Sequence, residues 1–417
     1  MRENQRTNEQ VEAQMNIIYI KAGFINEASG GGLEARKIWN ALEKTASRHP
    51  DCAVTRFSAD AETSDIRTLM ARTPFKDRLS RALLHSSYVY VNWWLGRLNK
   101  VLMAQSPDVV ILGNSRLGFM ARWLRTHAPD VRLICHYDNV EADYVGAAWG
   151  KAKGPVDRLL KHIEGFCVRR DERDAVRYAH DHLVLTQRDQ HRLGTLYNQP
   201  GGSVQVLPIC LNEPAPMQLG YGTGPVQLLF LGSLWYGSNQ EAVCWFLDQV
   251  WPAIRTRYPD ARMTVAGSRP PEGFKKQVTD VPGIRLVPDF DRLEDVLLAD
   301  TIVVAPIRTG AGMKVKVAES LSLGLPVIAS EEALVGYGEA REDPLSETVL
   351  FPAETAADYL AALVCLAGRD VDETGSRAKR LFRRYYSWSR SEAMVEALLF
   401  PPCEEPSGRR DCVEAGD

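Results

Sequence analysis

Apolar residues along this chain fall into short unbroken runs that alternate with longer stretches in which they recur every three or four positions. Such runs read as buried strands, and the periodic stretches as helices with one apolar face. In the first half, runs at 16–20, 52–57, 109–112, 131–137, 182–186 and 204–207 predict strands. Helical spacing there covers 34–48, 75–105, 155–180 and 187–197. In the second half, strands are predicted at 226–231, 263–266, 284–287, 301–305 and 327–329. Helices follow with Ala242, Val243, Trp245 and Phe246 on one face, with Val315, Ala318 and Leu321 on another, and over 355–367, 376–385 and 387–399. Between the halves, 208–225 carries Pro, Gly, Asn and Tyr with little periodicity, which marks a boundary. Strands alternating with helices imply an α/β protein of two Rossmann-like, doubly wound domains. The predicted divisions are a disordered tail at 1–14, a first domain at 15–210, a linker at 211–225, a second domain at 226–385, a last helix within 386–400, and a tail at 401–417.

The chemistry concentrates in APIRTGAGMKVKVAESLSLGLPVIAS, residues 305–330. The loop Gly310-Ala311-Gly312 joins a strand to a helix. Gly324 then stands where a helix end wants positive φ, and Pro326 follows it. Glycines let backbone N–H groups approach a ligand, and the helix N-terminus adds partial positive charge, so the loop suits phosphate. Arg308, Lys314 and Lys316 add three cations, which fit a diphosphate. Glu319 shares a helix face with Lys316, where it can accept hydrogen bonds from a ribose diol. The competing reading is a solvated helix on which Lys316 and Glu319 merely pair.

Two more segments sit at predicted strand ends. Ser29-Gly30-Gly31-Gly32 follows the first strand, at the place of a phosphate loop or of a tight turn. Cys135-His136-Tyr137-Asp138-Asn139-Val140-Glu141 closes another. There the Asp138 carboxylate can take an acceptor proton or stabilise oxocarbenium charge, or else Asp138-Asn139 caps a helix. His136 alone reads equally as a histidine buried under a strand.

These segments resemble retaining GT-B glycosyltransferases, specifically glycosyltransferase family 4. The stretch at 305–330 is similar to that family's R-x-G-A-G-x-[KR]-x-K-x-x-E-[AS]-x-x-x-G-x-P-V, with Lys316, Glu319, Gly324 and Pro326 in place. The stretch after Cys135 is similar to T-H-F-H-N-V-E-Y-D-Y, with His136, Asn139, Val140, Glu141 and Tyr144 in place and Asp138 where the second histidine stands. The resemblance is strong over 226–338 and loose over 15–210. It implies a GT-B fold whose two domains face a cleft, with the last helix crossing back onto the first domain. It also implies transfer of a sugar, with retention, from a nucleotide diphosphate sugar to a hydroxyl acceptor, without cofactor or metal. The acceptor implied is a saccharide or lipid-linked saccharide in polysaccharide or glycolipid assembly.

The catalytic residues so implied are Asp138, His136 and Lys316, with Asn139 and Glu141 on the acceptor side. Gly31, Gly32, Gly232, Ser233 and Arg308 would join Gly310, Ala311, Gly312, Lys314, Lys316 and Glu319 around the donor. The chain departs from the family in three places. Ala311 stands where a glutamate usually contacts the donor sugar, and Ser233 and Ser238 replace an Arg and a Lys that usually bind phosphate. Phosphate binding then falls on Arg308, Lys314, Lys316 and backbone amides. A non-catalytic nucleotide-binding scaffold and a nucleotide-sugar epimerase stay open as alternatives.

Composition narrows the classes. A chain of 417 residues exceeds one ordinary core, and its 45% hydrophobic and 25% charged residues are those of a globular protein. A net charge of −3 offers no electrostatic case for nucleic acid. Eight cysteines without CxxC spacing read as buried thiols in a reducing compartment and give no metal site. The polar start and the absence of a run of about 18–20 apolar residues predict a cytoplasmic protein, with peripheral contact to the inner face of the membrane as an extension. The stretch 75–105, with Trp93 and Trp94 and basic flanks, reads either as a core helix or as an acceptor groove or membrane-facing helix. The mixed charges of 155–180 read as a solvated face, and His180 and His182 lack further ligands at metal spacing.

Overall fold

The computed structural model describes residues 14–21, 30–58, 91–149, 154–198, 202–217, 220, 226–310 and 312–401. Strands β1 (Met15–Lys21), β2 (Cys52–Ser58), β3 (Val109–Leu112), β4 (Arg132–His136), β5 (Asp181–Val184) and β6 (Ser203–Val206) form one sheet, in the order β2-β1-β3-β4-β5-β6. A second sheet holds β7 (Gln227–Leu231), β8 (Arg262–Gly267), β9 (Ile284–Pro288), β10 (Ile302–Ala305), β11 (Val327–Ala329) and β12 (Leu350–Pro352), in the order β12-β11-β10-β7-β8-β9. Every recorded strand pair is parallel. β3 reads VVIL and β10 reads IVVA, and all four residues of each are buried, as befits parallel strands covered on both faces.

Helices α1 (Gly30–Arg48), α2 (Val91–Gln105), α3 (Gly118–His127), α4 (Glu141–Trp149), α5 (Pro155–Tyr178) and α6 (Gln187–Tyr197) surround the first sheet. Around the second are α7 (Gly237–Gln249), α8 (Trp251–Arg257), α9 (Glu272–Thr279), α10 (Val315–Leu323), α11 (Gly338–Glu342), α12 (Ala356–Leu366) and α13 (Val371–Tyr385). The last, α14 (Trp388–Leu399), returns to the first domain. Its Val395, Leu398 and Leu399 share a core with Ala35, Ile38 and Leu42 of α1. Arg48 clamps the same seam, reaching Glu396 at 2.6 Å and Glu392 at 3.0 Å. The architecture is the two-domain GT-B arrangement with its crossover helix.

Both sheets reverse their strand order once, between β1 and β3 and between β7 and β10. Crevices beyond the carboxyl ends of such strands are where open α/β sheets place ligands.

Three expectations change. Gly31 and Gly32 belong to the first turn of α1 rather than to a loop, because the packing of Ala35, Ile38 and Leu42 further along holds a helix that runs back through them. The residues before them, 22–29, lie outside the described residues, as do 59–90, 150–153, Ala311 and the end tails. Trp94, read as a candidate interface residue, is buried and meets Phe57 edge-on at 5.4 Å, so it and Leu98 turn one face of α2 into the core. The helix predicted over 376–385 starts earlier, at Val371, and runs through Gly375. That glycine's missing side chain lets the end of α10 approach, since an added Cβ there would sit 3.3 Å from the Gly324 carbonyl oxygen. Gly324 itself ends α10 at φ +82°. Among the described residues, no helix is long and apolar enough to cross a membrane.

Candidate functional site

At the reversal in the second sheet, the loop after β7 begins with Gly232 and the loop after β10 carries Arg308–Gly312. Thr309 holds the two loops together by donating to Glu241 at 3.0 Å, at the start of α7. α10 opens just behind, on Lys314. Its first turn is stapled by the buried Tyr337 hydroxyl, which accepts from the Ala318 N–H at 3.0 Å and donates to the Lys314 carbonyl at 2.7 Å.

Lys316 points from this turn under Gly232. Its Nζ donates to Asn239 Oδ1 at 2.8 Å and lies 4.1 Å from the Phe230 ring centroid. An added Cβ on Gly232 would come within 3.1 Å of that Nζ, so the bare glycine leaves the ammonium its place. Lys316 is 9% exposed, and burial pushes its pKa down to about 7 against the attraction of Glu319. Burial likewise raises the Glu319 carboxyl, against the pull of Lys316. Desolvation therefore outweighs the attraction between the two, and both lean toward their neutral forms. A ligand bringing negative charge beside Lys316 would supply what the site lacks. Lys314 also has a lowered pKa through burial, although its Nζ meets Glu332 at 3.0 Å. Arg308 stacks its guanidinium 4.6 Å from the Trp245 ring centroid and stands 3.6 Å from Glu354.

Across from this loop lies the reversal in the first sheet. Lys21, the last residue of β1, donates to the Gly113 carbonyl and to Asp138 Oδ2, both at 2.9 Å. Asn114, just beyond β3, reaches the same Asp138 oxygen at 3.2 Å and Glu141 Oε1 at 3.3 Å. Behind them His136 is fully buried, with Nε2 3.3 Å from Glu34 Oε2 and Nδ1 3.7 Å from Asp138 Oδ1. Neither ring nitrogen makes a well-formed hydrogen bond, and Asp138 Oδ1 is similarly without one. Lys37, itself fully buried, pairs with Glu34 and donates to the Pro208 carbonyl at 3.0 Å. The result is a buried row of carboxylate, imidazole and carboxylate with a lysine at each end. Two lysines balance two carboxylates, which is what makes burying four charges tolerable. Tyr19 lies over the row. Burial, then Asp138 and Glu34, holds its phenol far above the usual range.

The two reversals meet at Gly312. Its φ is +67°, and a Cβ there would overlap Asn139 Oδ1. Only glycine lets the donor-side loop close onto the Asp138-Asn139 segment. Arg188 of α6 adds a second bridge, reaching Glu332 at 2.8 and 3.2 Å, so that Glu332 joins Arg188 to Lys314. Tyr144 of α4 and Tyr236 after β7 are both half-exposed, and close enough that Tyr236 adds to the burial that raises the Tyr144 phenol.

The fold thus gathers Gly232, Arg308, Gly310, Gly312, Lys314, Lys316 and Glu319 at one sheet reversal, with Asp138, His136, Asn139 and Glu141 at the other. Ser233 is exposed and lends its carbonyl to Asn239 Nδ2 at 2.9 Å. His182 instead accompanies Tyr137, at 3.0 Å from its hydroxyl, and His180 Nδ1 accepts from the Leu133 N–H at 2.9 Å. Among the described residues, no group of three or more His, Cys, Asp or Glu could hold a metal ion. Sequence reasoning passed over Asn239, Lys21, Asn114, Glu34 and Lys37. Lys21 had a signal, as a lysine ending an apolar strand. The others are recognisable only once the fold brings them together.

Comparison with known proteins agrees with this fold. Residues 225–369 match the family described as "Glycosyl transferases group 1". An uncharacterized 44.6 kDa protein in the cps region of Klebsiella pneumoniae is 27% identical over 134 residues, which are 30% of this chain and 34% of that protein. The match therefore spans about a third of that relative's length. Among solved structures, sucrose-phosphate synthase from Thermosynechococcus elongatus has a TM-score of 0.61 at 14% identity, over 92% of this chain and 98% of that one. An E. coli trehalose-6-phosphate structure bound with UDP-2-fluoro glucose has a TM-score of 0.57 at 11% identity, over 92% and 98%. The chain has the two-domain GT-B fold, and residues 225–369 of its second half are similar to the glycosyl transferases group 1 family.

Proposed function

We propose that this protein transfers a sugar from a nucleotide diphosphate sugar to a hydroxyl acceptor, with retention at the anomeric carbon, during assembly of a polysaccharide. The observation that carries the reading is the buried Lys316 at the β7–β10 reversal. Among the described residues its ammonium donates to the neutral Asn239 side chain and to no carboxylate, and residues 225–369 around it match group 1 glycosyl transferases. The relative in a cps region and the fold neighbour bound with UDP-2-fluoro glucose support the substrate class.

In this reading Lys316, Lys314 and the N–H groups opening α10 hold the diphosphate, and Glu319 takes the ribose diol. As the bond from anomeric carbon to phosphate oxygen breaks, its electron pair goes to the departing diphosphate. Lys316 stabilises that charge from a site where water does not screen it. The acceptor hydroxyl bonds to the anomeric carbon beside Asp138 and gives its proton to the departing diphosphate. The Asp138 carboxylate, held in place by Lys21 and Asn114, sets its negative charge against the developing positive charge.

The test is thermal stabilisation by a panel of nucleoside diphosphates and nucleotide sugars, on wild type, Lys316→Ala and Glu319→Ala. Ligand at about a hundred times Kd adds roughly 2.7 kcal/mol to stability. The reading expects one base to shift wild type and neither variant. It also expects nucleoside diphosphate release that depends on an acceptor, with product anomeric configuration matching the donor by NMR. A full panel that leaves wild type unmoved removes the donor site and favours a scaffold. Release without an acceptor favours the epimerase.

A further inference from the structure

We infer that the solvent face of α5 docks on an anionic phospholipid surface and so turns the acceptor side of the cleft toward a bilayer. Eight large apolar side chains are exposed among the described residues, and three of them belong to this helix: Val156 at 70%, Leu159 at 61% and Phe166 at 61%. Singly scattered apolar residues need no explanation, but these lie three and seven positions apart, on one face. The same face continues with Arg169, Arg173 and Arg177, all exposed. The opposite face buries Cys167, Val168, Ala175 and Val176.

Charge along the helix is sorted by exposure. No Asp or Glu of α5 lies on the face that carries Leu159, Phe166 and the arginines, and the part-exposed Asp157 and Glu164 stand nearly opposite it. Asp157 pairs with Lys161 at 3.3 Å, Glu164 stands 3.6 Å from Arg116, and Asp174 meets Arg122 at 2.6 Å. Asp171 and Glu172 are fully buried. What faces solvent is an apolar segment followed by a row of arginines, the pattern of a helix that lies in a membrane interface. The mixed charge of the sequence concealed this, because only the fold reveals which signs point outward.

The occupant is an anionic bilayer and not a second copy of this chain. An isologous contact through this face would set the same arginines against each other. The helix also stands at the right place for a membrane-borne acceptor. Glu164 meets Arg116, whose Nε bonds Glu141 Oε2 at 2.8 Å, and Glu141 shares Asn114 with Asp138. This inference rests on the sugar-transfer reading for its acceptor, but its test does not.

The experiment is co-sedimentation of the full chain with vesicles of phosphatidylcholine alone and of phosphatidylcholine mixed with phosphatidylglycerol. The nucleotide-induced thermal shift is recorded on the same samples. Wild type is expected to bind only the mixed vesicles, and less as salt rises. Each arginine beside an anionic leaflet contributes about fivefold in partitioning, so Arg169→Gln/Arg173→Gln/Arg177→Gln loses about a hundredfold. Leu159→Glu and Phe166→Glu lose binding as well, while all variants keep the thermal shift. Should a glutamate variant fail to fold, Leu159→Ser repeats the test. Equal binding to both vesicle types, no binding by wild type, or variants that bind like wild type overturn the proposal. So does a dimer that Leu159→Glu dissolves. Vesicle binding in a protein that no nucleotide stabilises upholds the docking face and removes the transferase reading instead.

Discussion

Replacing Lys316 by Met should stabilise the ligand-free protein while abolishing donor binding. Lys316 carries a pKa of about 7 in the fold, against 10.5 for an ordinary lysine. Its folded value is depressed, so between about pH 7 and 10.5 the unfolded chain binds more protons than the folded one, and stability rises with pH. Below about pH 7 the side chain is charged in both states, and the full cost of burying that charge is present. That displacement corresponds to about 5 kcal/mol. This is an upper bound for the gain in Lys316→Met, because Glu319 loses its neighbour. Chemical denaturation near pH 6 should therefore find Lys316→Met more stable by a few kcal/mol, and the difference should shrink as pH rises toward 10. A bound diphosphate should return the proton. Calorimetry of the nucleoside diphosphate in two buffers of different ionisation enthalpy, at about pH 8–9 where the phosphate itself is fully ionised, should report uptake approaching one proton in wild type and none in the variant. A Lys316→Met protein less stable than wild type near pH 6, or wild-type binding with no buffer dependence, would refute the argument that desolvation of Lys316 outweighs its attraction to Glu319.

The other predictions concern the partners around it. Lys21→Met leaves Asp138 buried with only Asn114, and should cost about 3–5 kcal/mol in denaturant titration, with sugar transfer lost. Adding Asp138→Leu to it should restore much of the stability and none of the activity. Gly312→Ala meets both positive φ and Asn139, so it should lower stability by about 1–2 kcal/mol and reduce kcat more than donor affinity. Arg188→Ala breaks a partly exposed bridge to Glu332, and its melting temperature should correspond to a loss below about 1 kcal/mol.

What could be read from the sequence follows from the range of the interactions involved. Strands such as β10 and β11 and the stop of α10 at Gly324 are set by local pattern, so their positions are legible within a residue or two. The short elements α9, α11 and β12 are too brief to show a period, and tertiary packing alone decides them. Gly375 illustrates the opposite error. Local propensity reads it as a break, and the fold uses it as the gap into which another helix end fits.

The same division runs through the site. Lys316, Glu319 and the glycines lie within ten positions of one another, so the donor loop can be found by spacing. The acceptor-side cluster draws Lys21, Glu34, Asn114 and Asp138 from four separate segments, and no window of sequence contains it. Asp138 shows why that matters. Where the resembling segment has a histidine, an isolated aspartate looks like a lost catalytic group. Lys21 and Asn114 hold it as a buried, oriented carboxylate beside Gly312. The substitution and its compensating lysine are over a hundred positions apart in the chain and 2.9 Å apart in the fold. A charge introduced into a buried site requires a partner, and the place to look for one is a nearby strand end in the sheet, here β1 across the intervening β3, rather than the neighbouring residue in the chain.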